Sequence, residues 1–366
     1  MKRRVVQWGT GVIGRRALDM IIDHPELELT GVIVHDPSKV GLDAAKLCGR
    51  AEPVGILASS DIEAVLASSP DAVSYMAVGT GARDRERAAA AIADISGLLE
   101  RGINVVSTSV TPLVYPQSAP PEWRAQLEAA CERGGVSCFM TGTHPGFISD
   151  LIPLTLTGLS GRMTQVRLSE IVSYENWVKT GKMRSHFGLG MPEDYEPPTL
   201  AAGYPTRTYG AVLMMMADVL GVKLDRVEER HASSFTPVEL PTIGGPILPG
   251  TRAAIHFGLY GMRDGEEAIV IDHIYRAHRD AAPEWPSPPG RGGYRLQIIG
   301  EPTWSVDFVM SGPAGTGGGE LATAVRPVNA IPAVCDAPPG LLTPLSLPLI
   351  TGRGLFRPSS TAGSHD

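Results

Sequence analysis

The amino-acid sequence predicts an α/β protein. Its first part is a doubly wound parallel sheet, and its second part is an α+β unit of mainly antiparallel strands. Three observations lead there. Strand-like and helix-like segments alternate through residues 1–150; a glycine-rich turn, Gly9-Thr10-Gly11-Val12-Ile13-Gly14, joins the first strand to the first helix; and after Asp150 runs of strands follow one another between Pro- and Gly-rich connections. Alternation buries parallel strands between two helical layers, and right-handed crossovers wind them both ways. Consecutive strands mark a segregated α+β part.

Each glycine of the first turn has a mechanical use. Gly9 permits the tight turn after the strand Arg4–Trp8, Gly11 leaves the backbone open to a pyrophosphate, and Gly14 lets the helix 12–23 pack closely on the strand. The helix then presents its N-terminal N–H groups and partial positive charge to the phosphates. The next strand, Leu27–Val34, leads to His35-Asp36-Pro37-Ser38-Lys39. Asp36 lies about 20 residues beyond Gly14, where a ribose-binding acid is expected. Asp36 argues for NAD, whereas Lys39, Arg15 and Arg16 are cations suited to a 2′-phosphate and argue for NADP; His35 is a stacking candidate for adenine. Both cofactors, NAD and NADP, remain open. The first part is therefore a Rossmann dinucleotide-binding domain.

The remaining elements follow in order. Asp43–Cys48 and Asp61–Ala67 read as short helices, Ala72–Val78 as a buried strand, Arg83–Arg101 as a longer helix and Ile103–Ser107 as another buried strand. Glu122–Arg133 is helical, Ser137–Met140 strand-like, and a helix is expected over 147–159. Val166–Tyr174 alternates as a strand and Tyr204–Leu220 is a helix whose Met214-Met215-Met216 reads as core filling. Strands are expected over Arg226–Phe235, Arg252–Tyr260, Glu267–His278, Tyr294–Ile299 and Thr303–Met310, with connections at 283–293 and 312–319. Leu321–Val334 is a helix stopped by Pro338-Pro339-Gly340. The expected division is a Rossmann domain over 1–150, an α+β substrate and dimerisation domain over 151–320, a C-terminal helix and tail over 321–358 that returns to the first domain, and a disordered end over 359–366.

Composition narrows the function classes. The chain has 366 residues, 43% hydrophobic and 19% charged, with a formal net charge of −7. That is enough apolar material for two cores, and no basic surplus points to nucleic acid. Four cysteines, Cys48, Cys131, Cys138 and Cys335, form no C-x-x-C pair. With no signal-peptide core and no apolar run of membrane-spanning length, a cytoplasmic protein is expected. The nine histidines show no H-x-x-x-H or H-E-x-x-H spacing, so no metal site is expected.

Several motifs together carry a family resemblance: Val5–Gly14; Lys39-Val40-Gly41-Leu42-Asp43-Ala44; Gly102-Ile103-Asn104-Val105-Val106-Ser107-Thr108; Thr141-Gly142-Thr143-His144-Pro145-Gly146-Phe147; and Val325-Arg326-Pro327-Val328-Asn329-Ala330-Ile331-Pro332. The chain resembles the dihydrodipicolinate reductase-like superfamily, in the branch of 2,4-diaminopentanoate dehydrogenase and the native NAD(P)-dependent amine dehydrogenases. The resemblance implies NAD(P)H as cofactor, an active site in the interdomain cleft and a homodimer. Three departures stand out. The His-His pair and the Pro-Ser-Gly-Thr loop of true dihydrodipicolinate reductases are absent, which speaks against that activity. The glutamate that the amine dehydrogenase branch carries after the Asn-Val-Val-Ser-Thr strand is also absent, since residues 109–116 contain no carboxylate. Where the branch has Asn before Pro-Gly-Phe, this chain has His144.

Hydride transfer needs a held geometry and a proton donor. His144, an imidazole in a turn at the predicted domain junction, is the first candidate for that donor. Tyr174 and Asn176, which share a face if the strand continues, are candidates at the end of the second domain's first strand, where the resemblance places substrate-facing residues. Lys179 matches a catalytic lysine only loosely and reads as a surface side chain. His273, on a late strand with Tyr275, reads as a satisfied sheet histidine. His186, Arg207 and Tyr209 lie in or beside a long segment of the kind that forms lids. For the cofactor, Gly9, Thr10, Gly11, Val12, Ile13 and Gly14 hold the pyrophosphate, Asp36 and Lys39 the adenosine end, and Ala77, Val78, Gly79, Thr108 and Ser109 the nicotinamide side. The expected function is an NAD(P)-dependent oxidoreductase acting on a C=N or C=O bond of a small, largely apolar substrate. The alternative is a catalytically silent NAD(P)-binding sensor or scaffold, motivated by the missing glutamate.

Overall fold

The structure, a computed structural model, describes residues 1–77, 85–177, 181–288, 290, 292–310 and 318–356. Its elements run β1 (Arg3–Trp8), α1 (Val12–Asp23), β2 (Leu27–Ile33), α2 (Ala44–Cys48), β3 (Ala58–Ser59), α3 (Ile62–Leu66), β4 (Ala72–Tyr75), α4 (Arg85–Glu100), β5 (Asn104–Ser107), α5 (Pro121–Gly134) and β6 (Ser137–Met140). Then come α6 (Leu151–Thr157), β7 (Arg162–Ser173), α7 (Gly181–Phe187), α8 (Tyr204–Val219), β8 (Arg226–Phe235), β9 (Arg252–Arg263), β10 (Glu266–Arg276), β11 (Gly292–Glu301), β12 (Trp304–Val309), α9 (Gly319–Asp336) and β13 (Gly340–Leu342).

Among the described residues, seven strands form one sheet in the order β13-β6-β5-β4-β1-β2-β3. Every pairing in it is parallel. The period of two along each strand sorts the core into two layers. Val5, Val106 and Phe139 face α1 and α9, through Ala17, Ile21, Val328 and Ile331. Val6, Val73 and Val105 face the opposite layer, where α4 and α5 supply Ile92, Ile95, Leu99 and Leu127. The chain leaves β1 for β2 on one side and reaches β4 on the other. The carboxyl ends of β1 and β4 therefore open a crevice at a topological switch point.

The second sheet has the order β12-β11-β7-β10-β9-β8. Only β7 and β10 pair in parallel within it; the rest is antiparallel. The α/β class with a mainly antiparallel second part is thus what the chain adopts. Helix α8 covers one face of this sheet with Val212, Leu213 and Met216 against Phe257 and Leu259. The same helix reaches the first sheet's loops, where the Tyr115 hydroxyl donates to Asp218 Oδ2 at 2.8 Å.

Several boundaries differ from expectation for local reasons. The helix expected over 147–159 starts at Leu151, because the preceding turn is folded on itself and Asp150 caps the helix. Strand β7 begins earlier, at Arg162, because its polar first residues pair with β11. Strands β3 and β13 and helix α7 are too short to show a period. Strand β13 extends the parallel sheet along β6, with Gly340 N–H donating to Val136 O at 3.2 Å. Val78, Gly79, Lys179 and the end expected to be disordered, 359–366, lie outside the described residues. No helix among the described residues is long and apolar enough to cross a membrane.

Candidate active site

The glycine turn is built as the spacing requires. Gly9 sits at φ +89°, and a Cβ there would come within 2.6 Å of Met76 O. A Cβ on Gly14 would strike Gly9 O, so only glycine lets α1 approach the turn this closely. A Cβ on Gly11 would meet nothing within 4 Å, so the backbone there faces open space. Gln7 Nε2 donates to Gly9 O at 2.8 Å and ties the turn from inside. No side chain caps α1, which leaves its first N–H groups for a ligand. This cradle fits a dinucleotide pyrophosphate.

The turn opens onto a cavity of about 500 Å³. Its walls include Gly9, Thr10, Gly11, Val12 and Ile13 at one end, with Asp36 and Lys39 beyond them, and Ala77, Thr108 and His144 at the other. Gly14 and Ser109 stand behind this wall. Ser109 is buried, and its Oγ donates to Ala77 O at 2.9 Å while its N–H donates to Ser107 Oγ at 2.9 Å, which pins the end of β4. Val110, Thr111 and Val114 give the inner wall an apolar character.

At the Asp36 end of the cavity, Asp36 Oδ1 accepts from Ser38 N–H at 3.0 Å and from Ser38 Oγ at 2.7 Å. These bonds hold the carboxyl below its ordinary range. Lys39 Nζ reaches back to Thr10 O at 3.2 Å and Thr10 Oγ1 at 3.3 Å, which brings its charge over the turn. His35 also lines the cavity, and its Nε2 accepts from Trp8 Nε1 at 3.1 Å. Arg15 and Arg16 are not among the lining residues.

His144 follows β6 in a turn closed by Phe147 N–H to Gly142 O and Ile148 N–H to Thr143 O, both 3.0 Å. Gly146 takes φ +138°, and a Cβ there would strike Gly142. The partly exposed His144 lines the cavity, while its ring stacks on Tyr209 at 4.7 Å between centroids. Its Nε2 meets His273 Nε2 at 2.7 Å. Although His144 is partly exposed, its Nδ1 is enclosed; desolvation lowers His144 to about 3 and depresses His273 as well, with the neighbouring His144 adding to that effect. Both rings are therefore neutral near neutral pH, and one N–H lies between the two Nε2 atoms.

His273 is not an isolated sheet histidine. Strand register aligns Phe257, His273, Glu170 and Tyr294 in one row across β9, β10, β7 and β11. Glu170 Oε2 lies 3.8 Å from His273 Nε2 and accepts from the Tyr275 hydroxyl at 2.6 Å. Burial raises the Glu170 carboxyl, opposed by hydrogen bonds from Tyr275 and Tyr294 and by the charge of Lys182. His144, His273 and Glu170 each offer an atom within 4.8 Å of the others. No sequence spacing brings these three together, which is why Glu170 was not a candidate. The one local sign was a carboxylate at an inward position of an otherwise apolar strand face.

Tyr174 and Asn176 stand elsewhere. Tyr174 is buried against Trp177, Phe187 and Tyr275, with ring centroids at 4.9, 5.6 and 5.6 Å. β7 ends at Ser173, so the two do not continue a strand face. Asn176 Nδ2 points to Glu175 Oε1 at 3.5 Å. Glu175 is bound by Arg279, whose hydrogen bonds hold its carboxyl down to about 2. Neither Tyr174 nor Asn176 lines the cavity. Arg207 donates to Ala202 O at 3.3 Å, also outside it.

Comparison with known proteins agrees with this architecture. The family model of the 2,4-diaminopentanoate dehydrogenase C-terminal domain matches residues 147–355. The chain is 40% identical over 350 residues to an amine dehydrogenase of Streptomyces virginiae, spanning 94% of this chain and 96% of that one. It is 25% identical over 358 residues to 2,4-diaminopentanoate dehydrogenase of Acetoanaerobium sticklandii, spanning 95% and 94%. Its fold is similar to that of an amine dehydrogenase from Mycobacterium smegmatis, with TM-score 0.71 at 22% identity over 96% and 97% of the two chains. The chain belongs to the 2,4-diaminopentanoate dehydrogenase and amine dehydrogenase family of oxidoreductases.

Proposed function

We propose that the protein is an NAD(P)-dependent amine dehydrogenase for a small, largely apolar amine, interconverting it with the matching carbonyl compound and ammonia. One observation carries this reading: a single cavity joins an open glycine turn to an imidazole held at the carboxyl end of β6, in a chain 40% identical to an amine dehydrogenase. The nicotinamide group, when bound, supplies or accepts the hydride. The chain's own residues do the rest. The backbone of Gly9–Gly14 holds the pyrophosphate, and Asp36 and Lys39 meet the adenosine end. Val110 and Val114 exclude water from the reacting carbon. His144, neutral and seated on Tyr209, takes the proton released at the substrate nitrogen or at the attacking water and returns it in the reverse direction.

The same reading includes a division into parts near residues 150 and 320, a homodimer, and a cytoplasmic protein; light scattering on the purified chain tests the dimer. The decisive experiment is spectrophotometric. Small apolar primary amines should reduce NAD+ or NADP+, and reduction of the matching ketone or aldehyde should require ammonium. Equal carbonyl reduction with and without ammonium, or no turnover of any amine, would reject it.

A further inference from the structure

We propose that His144, His273 and Glu170 form one proton-holding unit, in which His273 receives the proton taken up through His144 and Glu170 is its counter-ion. The inference rests on the amine dehydrogenase reading for the source of the proton, whereas the unit itself rests on geometry.

The two imidazoles share one hydrogen bond, Nε2 to Nε2 at 2.7 Å. If His144 donates, His273 carries its proton on Nδ1, and if His273 donates, the tautomers reverse. Both Nδ1 atoms are buried without a hydrogen-bond partner. A proton arriving at His144 Nδ1 forms an N–H bond there. The His144 Nε2–H bond then breaks and an Nε2–H bond forms on His273. One proton enters, one crosses, and no electrons move. The positive charge ends on His273, and His144 is neutral again and ready to return a proton.

Burial disfavours that charge on His273, and the groups packed around the ring offset part of the cost. Phe257 stacks on it at 4.7 Å with an interplanar angle of 8°, and Tyr209 lies at 4.2 Å. Aromatic faces on an imidazolium are favourable. Glu170 Oε2 is 3.8 Å away, close enough for charge pairing in a water-poor setting. Tyr275 and Tyr294 donate to Glu170 and favour its anionic form, as does Lys182 of α7. Tyr174 lies beside Glu170, Tyr204 of α8 beside Tyr174 and Tyr209, and His256 is the further titratable group that acts on His273. A carboxylate is thus supplied from β7 to a site whose loop 109–116 has none. The 2.7 Å contact is that of a shared proton; a bound ion would hold its two ligand nitrogens farther apart, roughly 3 Å or more for Zn–N bonds near 2.0–2.1 Å.

The test uses the full chain. In 15N-histidine NMR of the wild type, His144 and His273 should be neutral at pH 7, with the proton of His144 on Nε2 and that of His273 on Nδ1, and Glu170→Gln should alter both signals while a thermal melt shows the fold intact. In amine oxidation, Glu170→Gln should lower kcat about 10–100-fold with KM little changed, as for loss of a group acting on proton transfer. It should also abolish the acid limb of the kcat profile, because protonating Glu170 removes the counter-ion; Glu170→Asp should restore that limb in part. Like or reversed tautomers, unchanged NMR signals in Glu170→Gln, a wild-type profile in that variant, or a stoichiometric metal in the purified protein would overturn the proposal. If the wild type turns over no amine, the functional reading fails, and the tautomer measurement still decides this one.

Discussion

His144 and His273 meet Nε2 to Nε2 at 2.7 Å, although 129 residues separate them. One comes from the turn after the last inner strand of the parallel sheet, the other from the middle of the second sheet. Burial keeps the His144 ring neutral, having moved it from 6.5 to about 3, and the proposed function makes that ring the base. Substitution His144→Gln should therefore lower kcat by about 10²-fold or more and leave the dissociation constant of NAD(P)H within about twofold, by fluorescence titration.

The same burial makes folding sensitive to acid. The unfolded chain protonates His144 near 6.5 and the folded chain only near 3. Unfolding thus takes up a proton between those values, and the contribution of His144 to stability, full above pH 6.5, is lost as pH falls toward 3. Melting curves from pH 7 to pH 4 should fall less steeply in His144→Gln than in the wild type; parallel curves would count against a buried neutral ring.

The three glycines of the turn separate folding from binding. Gly11→Ala places its Cβ in open space, so its melting temperature should match the wild type. Its affinity for NAD(P)H should drop roughly tenfold or more, because the methyl occupies the path of the pyrophosphate. Gly14→Ala meets Gly9 O instead and should lose stability as well as affinity. A Gly11→Ala protein that binds cofactor normally would move the phosphate site elsewhere.

In the proposed function Asp36 and Lys39, which both line the cavity, divide the adenosine end between two charges. Asp36→Ala should weaken NADH by about tenfold and leave NADPH unaffected or tighter, since the carboxylate accepts from a ribose hydroxyl and repels a phosphate. Lys39→Ala should weaken NADPH more than NADH. Titration of both variants with both cofactors checks the assignment, and identical losses for the two cofactors would contradict it.

Glu175 and Arg279 form an ion pair outside the cavity. The carboxyl is held down to about 2 from 4.5, so its contribution is present above pH 4.5 and fades as pH falls toward 2. Arg279 is largely exposed, so solvent screens the pair and keeps its contribution small. Arg279→Ala should lower the melting temperature slightly at pH 7, by less at pH 3, and leave kcat unchanged.

The glycine turn, the acid after β2 and the strand–helix alternation were legible because each is local. A turn residue, a cap or a period of two is specified by neighbours in sequence. His144 was legible for the same reason, standing in a turn at a strand end. Tyr174 and Asn176 looked like cavity residues only while β7 was taken to run on to Tyr174. Its end at Ser173 turns Tyr174 into an aromatic cluster and Asn176 toward Glu175.

By itself the sequence determined the fold class, the glycine turn and one imidazole that lines the same cavity. The tertiary structure decided the chemistry around that imidazole. Glu170, His273 and Tyr294 become neighbours only through the register of β7 with β10 and β11. Register is set by which inward faces are buried together and by the turns between strands, not by any one segment. The same packing that brings the three side chains together also removes their water, and so sets their charge.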